Sequence, residues 1–341
     1  MGRRLGHAAM VGAGAAAIAL MLWSTGFLNL WEFAAWRWRV DYFAVPGAAT
    51  SEIKLILLDQ RSLDWGEKEN GWTWPWPREV YTPIIDYCIR GGAKVIVFDM
   101  LFTEPSLYGV HDDRALSTAI SRAPVFVAPL FLGRKSGDAK RWPHGVPKRL
   151  TIGLAGMDEW LAGLKAGSVK RLVMPRAKFP IPEISSTSAF LAGVSQDPDF
   201  DGIFRRSHLL KIFDGHVTPS LALAAFLTGE TALEPLRTGY LAELKMRSEC
   251  LEAGGRCIPM DETGKAILRF RGSTATYQTF SAAEVIQSEL RLRAGEKPVI
   301  EDPGVLKDCY VFLGASAPGL LDLRPTPISK VSPGVEFHAP T

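Results

Sequence analysis

Residues 72–99 read WTWPWPREVYTPIIDYCIRGGAKVIVFD. Three tryptophans alternate with two prolines at the start, which excludes an ordinary helix because proline lacks the backbone donor and fixes φ. The remainder predicts a short amphipathic helix, a Gly-Gly stop and a buried strand that ends on Asp99. We therefore expect a rigid aromatic segment at the end of a sheet. This segment either forms part of a binding site or covers the core as a structural element.

Further apolar strands and helices flank this stretch. Strands are predicted at 53–59, 93–98 and 124–130, with helices at 79–90 and 113–122 between them. Near-continuous apolar strands are typical of a parallel sheet that is covered on both faces. Residues 241–272 instead predict an antiparallel β-meander. The predicted fold class is therefore α/β, with a mostly parallel central sheet and an antiparallel meander, after an N-terminal transmembrane helix.

An uncharged segment near the N-terminus predicts a membrane anchor. Residues 8–30 carry no charge and would extend roughly 34 Å as a helix, enough to cross a hydrocarbon layer of about 30 Å. Arg3 and Arg4 precede it and place the N-terminus in the cytoplasm by the positive-inside rule. A cleaved signal peptide is the alternative, but the length of the run and the absence of a clear Ala-x-Ala site favour a retained anchor.

This reading divides the chain into four parts. We expect a cytoplasmic N-terminus at 1–7, the anchor at 8–30, a juxtamembrane stalk helix at 31–46 and an extracytoplasmic domain at 47–341. Within the domain, the polar residues 134–178 predict a surface insertion. The predicted location is the bacterial inner membrane, crossed once, with the bulk of the chain in the periplasm.

Composition limits the partners and cofactors. The 341 residues are 47% hydrophobic and 22% charged, which predicts a substantial core, and the net charge of +3 is spread out, so nucleic acid is excluded as a partner. The spacing of cysteine and histidine predicts no metal, and no cofactor is expected. Cys250 and Cys257 flank a Gly-Gly turn and predict a disulfide, which would stabilise the domain by roughly 2–3 kcal/mol.

Ligands of open parallel sheets bind beyond the carboxyl ends of the strands. By that rule, the carboxylates and small residues that follow predicted strands should lie at one edge of the sheet, with the aromatic segment beside them. The candidate ligand-binding residues are Asp59, Trp76, Arg78, Asp99, Ser316 and Asp322. Each also has a structural interpretation, since carboxylates after strands often cap helices and Arg78 can pair with Asp59 or Asp99. No catalytic residues are predicted, because neither G-x-S-x-G nor G-x-x-x-x-G-K-[ST] is present.

An ordered set of motifs resembles the extracellular sensory domain associated with cyclases and histidine kinases, second type (CHASE type 2). The motifs follow the anchor and Asp41 and cover nearly the whole chain: LLD at 57–59, WPWPR at 74–78, GAKVIVFDMLF at 92–102 with Glu104-Pro105, Asp112-Asp113, DGIFRR at 201–206, PSLA at 219–222, VFLGAS at 311–316 and SPGVEFHA at 332–339. The resemblance implies an extracytoplasmic sensing module, which in this family is usually followed by further membrane helices and a cytoplasmic output. It supplies no catalytic residues.

The expected function is the sensory, ligand-binding domain of a transmembrane receptor. The chain stops at Thr341, where a return to the membrane would begin, so we expect a truncated receptor or a protein without an output domain. The expected partners are the membrane, a small solute or an envelope protein, and a second copy in a homodimer. Two alternatives stay open: the N-terminal part of a nucleotide cyclase, histidine kinase or diguanylate cyclase, which would make the whole protein an enzyme, or a structural envelope assembly module.

Overall fold

The computed structural model of the chain describes residues 2–146, 155–230, 245–247, 250–253, 255–272 and 276–339. The chain divides into two compact units, Met1–Val45 and Pro46–Thr341. The helices are α1 (Gly2–Ser24), α2 (Phe27–Phe43), α3 (Gln60–Asn70), α4 (Thr82–Arg90), α5 (Val110–Arg122), α6 (Met157–Gly163), α7 (Ala166–Leu172), α8 (Pro182–Thr187), α9 (Leu221–Glu230) and α10 (Ala282–Arg293).

Short strands make up the rest of the regular structure. They are β1 (Ile53–Leu58), β2 (Val95–Phe98), β3 (Phe126–Gly133), β4 (Val173–Met174), β5 (Arg176–Lys178), β6 (Phe190–Gly193), β7 (Arg206–His208), β8 (Leu210–Phe213), β9 (His216–Pro219), β10 (Lys245–Met246), β11 (Cys250–Ala253), β12 (Arg256–Pro259), β13 (Lys265–Ile267), β14 (Gln278–Ser281), β15 (Tyr310–Ala315), β16 (Leu323–Arg324) and β17 (Ser332–Pro333). The mixed α/β fold with a mostly parallel sheet confirms the predicted class.

The first unit consists of two helices. Residues Arg4–Ser24 of α1 have a mean hydropathy of 1.8 and the length of a membrane span, and they are the one such helix found in the described part of the chain. A signal sequence near the N-terminus has the same character. The sequence predicted an anchor that continues to residue 30, but the structure ends α1 at Ser24. Gly26 adopts φ 72°, a left-handed conformation that glycine tolerates, and α2 begins after it.

The central sheet of the second unit places six parallel strands in the order β14, β1, β15, β2, β3, β6. Leu58 lies opposite Ala315, and Leu313 lies opposite Phe98, so neighbouring strands end at a common edge. The strands β1, β2 and β15 are almost wholly buried. That burial explains the near-continuous apolar sequences from which the parallel sheet was predicted.

Helices cover the sheet. Helices α10, α4, α5 and α8 pack one against the next, and α9 packs against β2, β3 and β6. The apolar residues 219–227 predict a buried helix with Thr218 as its N-cap, but the structure places Thr218 in β9. Pro219 completes that strand, and the Oγ of Ser220 accepts a hydrogen bond from the Leu223 amide at 3.2 Å. The cap therefore lies two residues later than expected.

Two predicted regions differ in detail from the structure. The predicted insertion has residues 147–154 outside the described part of the chain, while its strand β5 pairs antiparallel with the end of β3 and buries Ala177 completely. The predicted meander is divided: β10, β11 and β12 form one antiparallel sheet, whereas β13 pairs with β7. Its residues 241–244, 248–249 and 254, including one glycine of the predicted Gly-Gly turn, lie outside the described residues.

Candidate functional site

A cavity of about 1140 Å³ opens at the carboxyl ends of β2, β3, β6 and β15. We call it the sheet-edge cleft. Its lining combines aromatic and charged side chains, among them Trp74, Trp76, Arg78, Asp99, Phe102, Lys135, Gln196, Asp197, Phe204, Lys211, Asp322, Arg324, Phe337 and His338. Four of the six candidate residues from the sequence, Trp76, Arg78, Asp99 and Asp322, therefore share one cavity.

Two carboxylates form one end of the cleft, which we call the acidic end. Asp99 directly follows β2, and its Oδ2 lies 3.3 Å from Nε2 of His338. Asp322 lies 3.1 Å from the guanidinium of Arg324, whose charge sits over the ring of Phe204. Burial, and then the nearby charge of Asp99, raise the pKa of Asp322. The acidic end therefore holds two carboxylates that repel each other in a partly buried position.

Two glycines permit this arrangement. A Cβ on Gly314, the fifth residue of β15, would lie 2.4 Å from the side chain of Val335, and a Cβ on Gly334 would lie 2.3 Å from the carboxylate of Asp322. The segment that carries His338 can therefore approach β15 closely, and the imidazole lies parallel to the ring of Phe312. His338 is 4% exposed, and its Nδ1 has no hydrogen-bond partner in the described residues.

A lysine and an amide form the opposite end, which we call the donor end. Lys211 is 5% exposed although it lies in an apolar strand, and its Nζ donates to the carbonyl of Ser195 at 3.1 Å. The carboxylate of Asp197 lies 3.9 Å from this ammonium. Burial lowers the pKa of Lys211 to about 8. The Nε2 of Gln196 is buried and has no partner among the residues that the structure describes.

His208, the last residue of β7, contacts the carboxylate of Asp197. Its Nε2 lies 3.0 Å from Asp197 Oδ2, and burial lowers the pKa of the imidazole. The hydrogen bond with His208 holds the pKa of Asp197 well below its usual range. The carboxylate of Asp197 is thus committed mainly to His208, at 3.0 Å, rather than to Lys211.

Arg78 lines the cleft but is fully engaged with the protein. Its guanidinium pairs with the buried carboxylate of Asp113, donates to the carbonyl of Glu104 and sits over the ring of Phe102 at 5.3 Å. Its backbone amide donates to Asp112 Oδ2 at 2.8 Å. The sequence suggested pairing with Asp59 or Asp99; the partner is Asp113, because α5 presents its first turn to the segment that holds Arg78.

The tryptophan segment forms a wall of the same cleft. The Trp74–Pro75 peptide is cis, Trp74 is 46% exposed, and Trp76 is buried against Trp72 and Tyr81. Gly66 of α3 allows the Trp76 indole to approach, since a Cβ there would lie 2.8 Å from the ring. Trp76 therefore covers the core, and Trp74 lines the cavity.

Two candidate residues lie outside the cleft lining. Asp59 follows β1 and caps α3: its Oδ1 accepts from the Ser62 amide at 2.8 Å and from the Ser281 hydroxyl at 2.9 Å. Ser316 donates its backbone amide to the carbonyl of Leu58 at 3.1 Å. These contacts correspond to the structural interpretation of both residues.

Sequence reasoning missed most of the donor end. Lys211 interrupts the apolar run SHLLKIF at 207–213, and a lone charge in a buried strand was the available indication. Gln196 and Asp197 lie in a polar turn with no pattern of their own. His338 stands in the last of the motifs, but its contact with Asp99 spans most of the chain.

The remaining features are the possible metal ligands and the four cysteines. The described residues contain no group of three or more histidine, cysteine or acidic side chains that is arranged to hold a metal ion. Cys250 and Cys257 lie in the neighbouring strands β11 and β12 with their Cα atoms 5.6 Å apart, and the structure joins them in a disulfide. Cys88 and Cys309 are buried free thiols.

The parallel sheet with an open cleft beyond its strand ends has the architecture in which α/β domains hold ligands. The family model of the CHASE2 domain matches residues 13–341. The chain therefore belongs to the CHASE2 domain family, a family of extracellular sensory domains that act in signal transduction. No curated protein and no solved structure matches the chain.

Proposed function

We propose that this chain is the extracytoplasmic sensor of a transmembrane receptor and that a small solute binds in the sheet-edge cleft. The supporting observation is the cleft itself, a cavity of about 1140 Å³ at the carboxyl edge of a parallel sheet. Its two ends carry charged groups, buried at Lys211 and partly buried at Asp99 and Asp322, that the protein satisfies incompletely. Such groups are costly to maintain unless a ligand completes their interactions.

Topology and output belong to the same proposal. We place the N-terminus in the cytoplasm and α1 in the inner membrane, so that the sensor domain lies in the periplasm. Exposed aromatic side chains on α2, among them Trp31, Trp38 and Tyr42, support a position at the membrane interface or in a homodimer. A ligand can change the output only if it binds two states of the dimer with different affinity. The output would be a cytoplasmic cyclase or kinase activity.

Solute binding can be measured on the full chain in nanodiscs. Single sugars, organic acids, amines, amino acids and short peptides are added at millimolar concentration, and thermal unfolding is recorded. A ligand at one hundred times its Kd stabilises the folded state by about 2.7 kcal/mol. The cleft is blocked with Thr103→Trp, since Thr103 lines the cavity and is partly exposed. Thr118→Trp, on the exposed face of α5, is the matched control.

The expected result is a compound that raises the unfolding temperature of the wild type and of Thr118→Trp, but not of Thr103→Trp. Equal shifts in both variants would place the ligand elsewhere. A panel without any effect would favour an assembly module.

Transmission is tested separately with a cysteine at position 38 of α2, replacing the exposed Trp38. In membranes, the proposal expects disulfide cross-linking between two copies at a rate that changes when the cleft ligand is added. A chain that stays monomeric under all conditions would contradict the dimeric mechanism.

A further inference from the structure

We infer that the sheet-edge cleft selects a short extended peptide with free termini, whose ammonium group binds the acidic end and whose carboxylate binds the donor end. This inference rests on the proposed solute-binding function and adds the chemical class of the solute. Four observations support it: the character of each end, their separation, and the lining between them.

The acidic end matches an ammonium group. Asp99 and Asp322 together carry four carboxylate oxygens, of which Asp99 Oδ2 faces His338 and Asp322 Oδ1 faces Arg324, so each carboxylate keeps a second oxygen for a ligand. The cation Arg324 is itself 46% exposed and shared with the ring of Phe204. A primary ammonium carries three donors and forms short, charge-assisted hydrogen bonds to carboxylates. A ligand cation between the two aspartates would also relieve their mutual repulsion.

The donor end matches a carboxylate. In the described residues the ammonium of Lys211 donates one hydrogen bond, to Ser195, and the amide nitrogen of Gln196 donates none. Lys135 also lines the cleft. A carboxylate has two oxygens and accepts from both groups at once. Asp197 does not replace it, because its carboxylate lies 3.9 Å from Lys211 and is bound to His208.

The separation of the two ends follows from the register of the sheet. Val97 lies opposite Val127 of β3, which lies opposite Phe190 of β6. Asp99 is two residues beyond Val97, and Ser195 is five residues beyond Phe190. The two ends are therefore separated by two interstrand distances across the sheet and by three residues along the strands. Together these displacements place the two ends about 10 to 15 Å apart.

That separation excludes a single amino acid as a bridging ligand. An extended chain spans at most about 3.3 to 3.6 Å per residue, so three or four residues connect the two ends. The cleft volume of about 1140 Å³ lies slightly above the roughly 300 to 1,000 Å³ of sites for drug-sized ligands and leaves room for such a peptide. The cleft lining also contains apolar and aromatic side chains, among them Phe102, Met174, Phe204 and Phe337, that can contact the side chains of the peptide.

The test uses titration calorimetry on the full chain in nanodiscs. The probes are free alanine, trialanine, tetraalanine, the N-acetylated tetraalanine, the tetraalanine amide and a diamine of similar length. We expect trialanine or tetraalanine to bind, with affinity at least tenfold weaker after either acetylation or amidation. Free alanine and the diamine should bind at least tenfold more weakly than the best peptide.

Matched variants connect each end group to its end of the cleft. In Asp322→Asn, acetylation of the peptide should change the affinity less than threefold, while amidation keeps its full effect. In Lys211→Met the pattern should reverse. The chemical changes to the peptide perturb the ligand alone, so the wild-type comparison stands even if a variant unfolds.

Several results would overturn the inference. They are equal binding of acetylated and free peptide, tighter binding of alanine than of the peptides, and binding of the diamine equal to that of tetraalanine. The experiments also distinguish a wrong peptide assignment from a wrong proposed function.

If another compound stabilises the wild type but not Thr103→Trp, the proposed solute sensor stands and the peptide assignment is wrong. If no compound occupies the cleft, both fall.

Discussion

Two sets of buried or partly buried charges line the same cleft and differ in how completely the protein satisfies them. The guanidinium of Arg78 is engaged by Asp113, by a carbonyl and by an aromatic ring. Lys211 and Asp322, in contrast, have weaker or fewer partners. A charge in a cavity wall is therefore not in itself a sign of a ligand. Accounting for its hydrogen bonds separates a group that supports the fold from one available to bind.

The comparison predicts opposite consequences for substitution. Removing a satisfied buried charge leaves its partner unpaired and destabilises the fold. Removing a charge that is held for a ligand should leave stability unchanged or improve it, at the expense of binding. Three of the four predictions below test this difference, and the prediction for the disulfide provides a reference outside the cleft.

The largest effect is expected for Arg78→Met. The substitution leaves Asp113 buried without its cation, so the free energy of unfolding should fall by about 3–5 kcal/mol. Urea unfolding of the full chain in nanodiscs measures it. The control is Arg61→Met, which breaks an ion pair with Glu284 in which the Arg61 side chain is 76% exposed, and which should cost about 0–1 kcal/mol. Equal costs for the two substitutions would remove the basis of the comparison.

The disulfide offers a stabilising feature outside the cleft lining. Replacing Cys250 and Cys257 together by serine should lower the free energy of unfolding by about 2.5 kcal/mol, because the unfolded chain regains the freedom of the closed loop. The same urea experiment measures the loss. Ligand-induced stabilisation should not change, because neither cysteine lines the cleft. A lost ligand response would connect this hairpin to the site.

The same contrast explains what the sequence could predict. Apolar runs identified β1, β2 and β3, because burial on both faces of the sheet leaves an apolar pattern in the sequence. The strand-end rule located Asp99 and Asp322 in the cleft. The partner of Arg78 was assigned wrongly: Asp113 lies in a helix 35 residues away, and helix packing leaves no local pattern. The donor end was missed for a related reason, since Lys211 comes from β8, a strand outside the central sheet.

The third prediction concerns Lys211. Its pKa of about 8 lies below the ordinary value of 10.5, so between these pH values the unfolded chain binds more protons and stability rises with pH. Below pH 8 the fold carries the full cost of the buried ammonium. Lys211→Met should therefore be more stable than the wild type at pH 7, by on the order of 1 kcal/mol, with the difference narrowing towards pH 10.5. Urea unfolding at pH 7, 8.5 and 10 measures the trend. A variant less stable at every pH would mean that Lys211 supports the fold as Arg78 does.

The smallest effect is expected for Asp322→Asn. The pKa of this carboxyl is raised, so its protonated form favours the folded state, and stability is lost as pH rises from the unfolded value of 3.8 through the folded pKa. Asparagine removes that loss, and the variant should gain stability relative to the wild type between pH 4 and pH 7. The gain should be smaller than for Lys211→Met, because Asp322 is 24% exposed and loses a partly exposed ion pair with Arg324 on substitution. Urea unfolding at pH 4, 5.5 and 7 measures the trend: the gain of the variant should grow as Asp322 of the wild type ionises, because burial and the charge of Asp99 disfavour the ionised form more than the ion pair with Arg324 favours it. A difference that does not vary with pH would show that the folded protein satisfies the ionised carboxyl of Asp322, and the acidic end would then resemble the satisfied group around Arg78.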